Sequence, residues 1–401
     1  MMKKYLLMFT MAGMLGGCSN SDDPQPKENF DMTVLAYLVG ENSLDDDLKE
    51  NIRTMFTSLA ALDKSATLLV YWDGDSNIKD YDTPVILRYT TDGTGRVNGV
   101  VANKKEWMLS DVLDLAEIVK EYQSQLSTDK EVMAQVLSDL VTLSPTGRIG
   151  LVAGAHATSW TESPSSRAFG EENGNWINIS DMADAIKSTN RIFDFLLFDA
   201  CLMGSIEVCY DFREVTNYQI VSVLEIPAYG FPYNLMLEYL YEGNKDSYIK
   251  ACKTYIDFYN NKSGSWGTIS LVDSREIDAL TALINTEIIL HKDKLYNFNA
   301  YQIQEYGRRG FKYCSFDLEQ FVKVLNDDNS PSNFDVQLDK TVVYTGCVDK
   351  PINIFEINKD NYSGIGLYIP MKDKNAWNSY FKTLDWYTAA GWNEVTFSWG
   401  F

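Results

Sequence analysis

Short apolar runs alternate along this chain with longer stretches whose apolar residues recur at helical spacing. Two runs are apolar almost throughout: Ile149–Ala153 within RIGLVAGAH and Phe193–Phe198 within FDFLLFDAC, preceded by Gly147 and Asn190. Runs of this kind predict strands buried on both faces, as in a parallel sheet. Further strands are predicted at Thr33–Val39, Thr67–Trp72, Val85–Tyr89, Gln219–Leu224, Thr268–Val272 and Ile365–Ile369. Helices are predicted at Asp45–Leu62 and at Asp111–Gln123, the second capped by Ser110. Another opens on a Thr128/Glu131 capping box and carries Met133, Val136, Leu137 and Leu140 along one face. Met182–Lys187 (capped by Ser180), Leu202–Phe212, Lys250–Asn260, Ser274–Leu295 and Phe316–Leu325 complete the set. Strand–helix–strand order implies right-handed crossovers, so the Ile149 and Phe193 strands are expected to be parallel near neighbours in an α/β sheet flanked on both faces. Nothing after Tyr241 reads as a linker, so residues 242–401 are expected to pack on and extend a core at 32–241.

The chain has 401 residues and a hydrophobic fraction of 45%, which suits one large α/β domain with additions. A net charge of −21 argues against binding nucleic acid or an anionic membrane surface directly, and is compatible with cationic substrates. Residues 1–17 read as a targeting segment: Lys3 and Lys4 precede the apolar stretch Tyr5–Met14, which is too short to span a bilayer. Leu15-Gly16-Gly17-Cys18 resembles the lipobox of bacterial lipoproteins, which implies lipid on Cys18 and membrane attachment through that anchor. Residues 18–31 form a polar tether whose Asp22 and Asp23 resemble surface-export tags, so the expected location is the bacterial cell envelope, at the outer membrane.

The two apolar runs lead into His156 and Cys201. Functional side chains in open α/β sheets collect beyond the carboxyl ends of the strands, and a cysteine with a histidine there forms a thiol nucleophile with its base. The chain has only two histidines, and His291 lies in a helix of mixed polarity that reads as structural. A helix starting right after Cys201 would favour its thiolate. The backbone N–H groups of Cys201 and Ala157 are the natural oxyanion donors. Apart from Cys18 there are five cysteines, with no CxxC pair and no ligand spacing to histidine, so no metal site is predicted. Spacing alone does not separate a catalytic pair from a buried histidine and a buried cysteine.

The surrounding residues do. Phe198-Asp199-Ala200-Cys201-Leu202-Met203-Gly204 resembles the nucleophile segment of the clostripain family of cysteine peptidases, relatives of caspases, gingipains and legumains. Gly154-Ala155-His156-Ala157-Thr158-Ser159-Trp160 falls where that family has its histidine segment. Tyr37–Asn42, Glu225–Pro227, Gly230–Tyr233 and Gly364–Pro370 agree in order, so the resemblance spans roughly Met32 to Phe401.

The resemblance implies a caspase-like α/β/α sandwich with a mostly parallel central sheet, Cys201 as nucleophile and His156 as general base. It also implies peptide or protein substrates with Arg or Lys before the scissile bond, and Asp199 as the pocket carboxylate. Self-cleavage between the histidine and cysteine strands would fall at Arg167. No cofactor is required; calcium enters by family resemblance only, and the sequence has no recognisable calcium loop. A monomer is expected. The chain departs from the family at Ala155, Ala157 and Ser159, where Asn, Gly and Gly are usual. If position 157 needs left-handed backbone, the Cβ of alanine imposes strain. Three alternatives stay open at this point: Asp199 as a helix cap or loop partner, a catalytically inactive surface-binding lipoprotein, and a transpeptidase using the same dyad.

Overall fold

The computed structural model describes residues 29–75, 78–79, 81–160, 168–307, 314–349 and 357–400. The residues read as a targeting segment, Cys18 and Arg167 lie outside the described residues.

The chain runs β1 (Asn29–Gly40), α1 (Asp45–Ala61), β2 (Ser65–Gly74), β3 (Val85–Asp92), β4 (Arg96–Val97), β5 (Val100–Val101), α2 (Leu109–Leu115) and β6 (Glu117–Glu121). It continues through α3 (Lys130–Leu143), β7 (Arg148–Gly154), β8 (Phe169–Glu172), β9 (Asn175–Ile177), α4 (Ile179–Lys187) and β10 (Phe193–Asp199). Then come α5 (Ile206–Phe212), β11 (Thr216–Val221), α6 (Tyr233–Glu242), α7 (Lys245–Asn260), β12 (Thr268–Asp273) and α8 (Ile277–Leu290).

One 11-stranded sheet organises the molecule. Its centre, in the order β2-β1-β7-β10-β11, is parallel throughout, and antiparallel strands extend both edges. β12 and the strand Val342–Cys347 extend the β11 edge. This is the caspase-like α/β arrangement. The apolar runs follow from burial on both faces. Leu35, Tyr37 and Val39 of β1 join the core under α3, α4, α5 and α8, whereas Val34, Ala36 and Leu38 join the core under α1, α6 and α7. Gly150 in β7 is needed for close approach, because a Cβ there would lie 2.0 Å from the ring of Phe195 on β10. No helix among the described residues is long and apolar enough to cross a membrane.

Several elements differ from the sequence reading. The helix expected at Asp111–Gln123 is the short α2 followed by β6, because Glu117, Ile118, Lys120 and Glu121 pair antiparallel with β3 and that ladder outweighs helix propensity. Asp129 caps α3, accepting from the N–H groups of Glu131 and Val132, in place of a Thr128 capping box. Asn178, not Ser180, caps α4, and the Ser180 hydroxyl donates to Asp211 instead. Ser274–Leu295 is divided into a 3-10 turn at Ser274–Glu276, α8 and a short helix Lys292–Leu295. Ser315–Asp317 is a strand, so the helix expected from Phe316 begins at Leu318. Of Ile365–Ile369 only Gly366–Leu367 is strand, paired with Ser315–Asp317 in a small separate sheet.

The helix expected from Leu202 begins at Ile206 and is capped by Ser205. Tertiary hydrogen bonds keep residues 202–205 out of the helix. The Leu202 N–H bonds Leu224 O at 3.1 Å, the Gly204 N–H bonds Ser222 O at 2.8 Å, and Ser205 bridges Gly366. Gly204 lies so close to this neighbour that a Cβ would stand 2.6 Å from the Val223 nitrogen.

Candidate active site

β7 and β10 pair in parallel with Ala153 opposite Phe198 and Gly154 opposite Asp199. The Ala155 N–H then bonds Asp199 O at 3.3 Å, carrying the pairing one residue further. His156 and Cys201 therefore leave the sheet at matching positions, two residues past facing partners, on strands about 4.8 Å apart. Both are partly exposed, whereas the residues leading into them are buried.

The histidine segment is held from two sides. Gly170 N–H donates to His156 O at 2.8 Å, and Thr158 N–H donates to Ala168 O at 3.0 Å. Ala157 lies opposite Phe169 in this antiparallel bridge. These two bonds flank the Ala157–Phe169 pair, so the Ala157 N–H points away from β8. Ala157 is absent from the positive-φ residues, whereas Ser159 has φ 65°. The strain that replacing glycine introduces thus falls on Ser159 and not on Ala157. Trp160 closes the segment, buried against Tyr368 and Phe381 at centroid distances of 5.1 and 5.5 Å.

The imidazole Nε2 of His156 lies 2.9 Å from Ser43 Oγ, in the turn between β1 and α1. Burial lowers the histidine's pKa below its ordinary value, with the nearby Glu171 carboxylate opposing that shift. The neutral ring, the form that acts as a base, therefore persists to lower pH than in an unperturbed histidine.

Cys201 is clasped by the loop after β11. The Ile226 N–H donates to Sγ at 3.4 Å, and Sγ lies 3.8 Å from Ile226 O. An N–H aimed at sulfur solvates negative charge developing there. With α5 starting at Ile206, this backbone donor takes the place of the helix end expected from sequence. Leu202, next in the chain, has φ 64°, a left-handed conformation that costs a β-carbon residue about 1–2 kcal/mol. The other described cysteines are unlike Cys201. Burial drives the thiols of Cys209 and Cys252 far up and those of Cys314 and Cys347 to about 11. None of the five forms a disulfide.

Asp199 points to the α1/α6 side of the sheet and is 7% exposed. Its Oδ2 accepts from Tyr233 OH at 2.8 Å and Asn51 Nδ2 at 3.0 Å, and the Phe231 N–H donates to the carboxylate as well. It is no helix cap; it ties the 227–233 loop to the strand that carries the nucleophile. Gly230 has φ 71°, and a Cβ there would sit 2.7 Å from Asp199 Oδ2, so the loop closes over this carboxylate only with glycine. Burial pushes the Asp199 carboxyl up to about 6, and Asp47 in the first turn of α1 adds to the shift.

The sequence reading singled out His156, Cys201, Asp199 and Ala157, and all four fall at this end of the sheet. It missed Ser43, Asn51, Glu171 and Ile226 as contacts. The only hints were the Gly40–Ser43 turn after β1 and the Glu225–Pro227 segment of the resemblance. His291 is remote from these residues in its contacts, bonding Asn326 Oδ1 at 3.1 Å.

A second acidic group lies nearby: ligand atoms of Glu41, Asp73 and Glu172 are within 4.8 Å of one another. Their oxygens are the donor type that calcium takes. Ser127 already donates to two of them, its hydroxyl to Asp73 and its N–H to Glu172. Burial pushes Asp73 up to about 6 and Glu172 up to about 8, so protons balance this cluster near neutral pH. If calcium binds, Glu41, Asp73 and Glu172 are the residues that would hold it.

Burial also pushes Glu207 up to about 7 and Asp211 to about 6. Unfolded carboxyls titrate near 4. Between pH 8 and 5 the native state therefore takes up protons that the unfolded chain does not, and stability rises as pH falls through that window. His156 opposes this as one group against Asp73, Glu172, Asp199, Glu207 and Asp211. The melting temperature is expected to be several degrees higher at pH 5.5 than at pH 8. A calorimetric series with the reverse slope would show these carboxyls to be ionised in the native state.

The chain superposes over nearly its whole length on solved structures of C11 cysteine proteases. The structure of a secreted C11 cysteine protease from Bacteroides thetaiotaomicron, in complex with an irreversible peptide inhibitor, superposes with a TM-score of 0.72 at 24% identity, covering 91% of this chain and 99% of that one. An inactive zymogen C11 protease from Parabacteroides distasonis gives 0.71 at 24% identity, covering 90% and 98%. These likenesses establish the shared fold. No curated protein sequence matches the chain. The sequence profile of the clostripain family matches residues 36–399, from the middle of β1 almost to the C-terminus, and so takes in every segment that converges on Cys201 and His156. With nucleophile and histidine segments both inside that match, the chain belongs to the clostripain family of cysteine peptidases.

Proposed function

We propose that this peptidase cleaves after Arg or Lys through a Cys201–His156 dyad. The observation that supports the reading is the β7–β10 register, in which His156 and Cys201 each follow two residues after the facing pair Gly154 and Asp199. In acylation, His156 takes the Cys201 proton as Sγ attacks the scissile carbonyl carbon, and the oxyanion meets the N–H groups of Ala157 and Cys201. His156 then gives that proton to the leaving amine as the C–N bond breaks, which leaves a thioester. In deacylation His156 removes a proton from water as it attacks; the C–S bond breaks, the thiol regains its proton and the acid product departs.

Basic specificity is supported by the buried carboxylate of Asp199, two residues before the nucleophile, and by Asp45, Asp46 and Asp47 in the first turn of α1. An arriving guanidinium or ammonium would draw the Asp199 proton off and pair with the carboxylate at low local dielectric. Fluorogenic peptides carrying Arg, Lys, Asp or Leu before the reporter test the proposal. A kcat/KM at least about 100-fold higher for Arg and Lys is expected, equivalent to roughly 2.7 kcal/mol. Equal turnover of the four would remove Asp199 from the pocket, and a folded protein that turns over none would favour the binding-protein reading.

A further inference from the structure

We infer that Ser43 is a positioning residue that sets the tautomer of His156, so that Nδ1 is the nitrogen serving Cys201. The inference rests on the dyad reading above. Ser43 Oγ occupies Nε2 at 2.9 Å, which leaves Nδ1 to reach the thiol. A neutral imidazole has one N–H and one lone pair. If Nδ1 is to accept the Cys201 proton, the ring hydrogen must sit on Nε2, and the Ser43 hydroxyl then accepts it while its own hydrogen turns to solvent. When the thiol proton moves to Nδ1, the imidazolium still has an acceptor at Nε2, so the charge forms without a change of partner.

The turn that carries Ser43 is built to hold it in place. The Asn42 side-chain amide donates to Val39 O at 3.1 Å and to Glu171 O at 2.7 Å, and its Oδ1 accepts the Leu44 N–H at 2.9 Å. The Asn42 N–H bonds Gly40 O at 2.7 Å, and the Asp45 N–H bonds Asn42 O at 3.3 Å. Asn42 thereby locks the end of β1, the start of α1 and β8 together around one exposed serine. Its bond to Glu171 also holds in place the residue whose carboxylate acts on His156. The arrangement is one of an orienting group behind a base, the third element that aligns a nucleophile–base pair.

Hydrogen bonds to charged groups contribute enough that losing this one should cost about 10-fold in kcat. Ser43→Ala is expected to show that loss with KM and melting temperature unchanged, and Ser43→Thr, which keeps the hydroxyl, is expected to recover most of the rate. Because the chain has two histidines, 15N spectra of the wild type and of His291→Gln assign the His156 ring. The wild type should show the Nε2–H tautomer, and Ser43→Ala should lose that preference. A Ser43→Ala protein with wild-type kcat and an unchanged tautomer would overturn the inference while leaving the dyad intact. Activity surviving in Cys201→Ala or His156→Ala would instead bring down the dyad reading itself.

Discussion

Cys201→Ala and His156→Ala should each lower kcat for peptide hydrolysis by about 10⁴-fold or more, and the double variant should be little worse than either single one. Nucleophile and base act as one unit, so losing either leaves only binding and oxyanion stabilisation. Both side chains stand past the ends of their strands and are only partly buried, so the melting temperature should stay close to wild type. The same contrast predicts chemical selectivity. A peptide electrophile with Arg before the reactive carbon should modify Cys201 alone. Burial holds Cys209 and Cys252 protonated, and the thiols of Cys314 and Cys347 are pushed up to about 11. Peptide mapping that finds the label on Cys347, with turnover surviving in Cys201→Ala, would move the nucleophile elsewhere.

Asp199→Asn should cost basic substrates most. Removing one partner of a desolvated charge pair costs on the order of 2–5 kcal/mol, or roughly 30- to several-thousand-fold in kcat/KM. Stability should change far less. Buried Asp199 titrates near 6 with its Tyr233 and Asn51 partners in place, and an amide of the same shape resembles its neutral form. Kinetics on Arg, Lys and Leu peptides, run beside thermal melts, separate the two effects. A variant that keeps its preference for basic residues while losing several degrees of melting temperature would make Asp199 a brace for the 227–233 loop and nothing more.

Much of this site was legible in the sequence because its two principal residues follow strands with an unmistakable local signature. β7 and β10 are buried on both faces, so burial alone dictates short, unbroken apolar runs, and a polar residue just beyond such a run lies at the carboxyl end of the strands. Crossover handedness then made the two strands parallel neighbours without any knowledge of the rest of the chain. The Asp129 and Asn178 caps were off by one or two positions because several capping residues stand together at each helix start.

What the tertiary structure decided were the contacts between segments distant in sequence. Residues 202–205 have the composition of a helix start, yet pairing with Ser222, Leu224 and Gly366 keeps them out of the helix, with Leu202 in the left-handed region. Ile118 and Lys120 could continue a helix until β3 offers them a ladder. The support around each reactive group (Ser43 on His156, Ile226 on Cys201, Tyr233 and Asn51 on Asp199) joins residues 25 to 148 positions apart. Hydropathy and periodicity report whether a side chain is buried and on which face of its own element. They carry no information about which distant donor meets which acceptor, because that follows only once the sheet has set the register between strands.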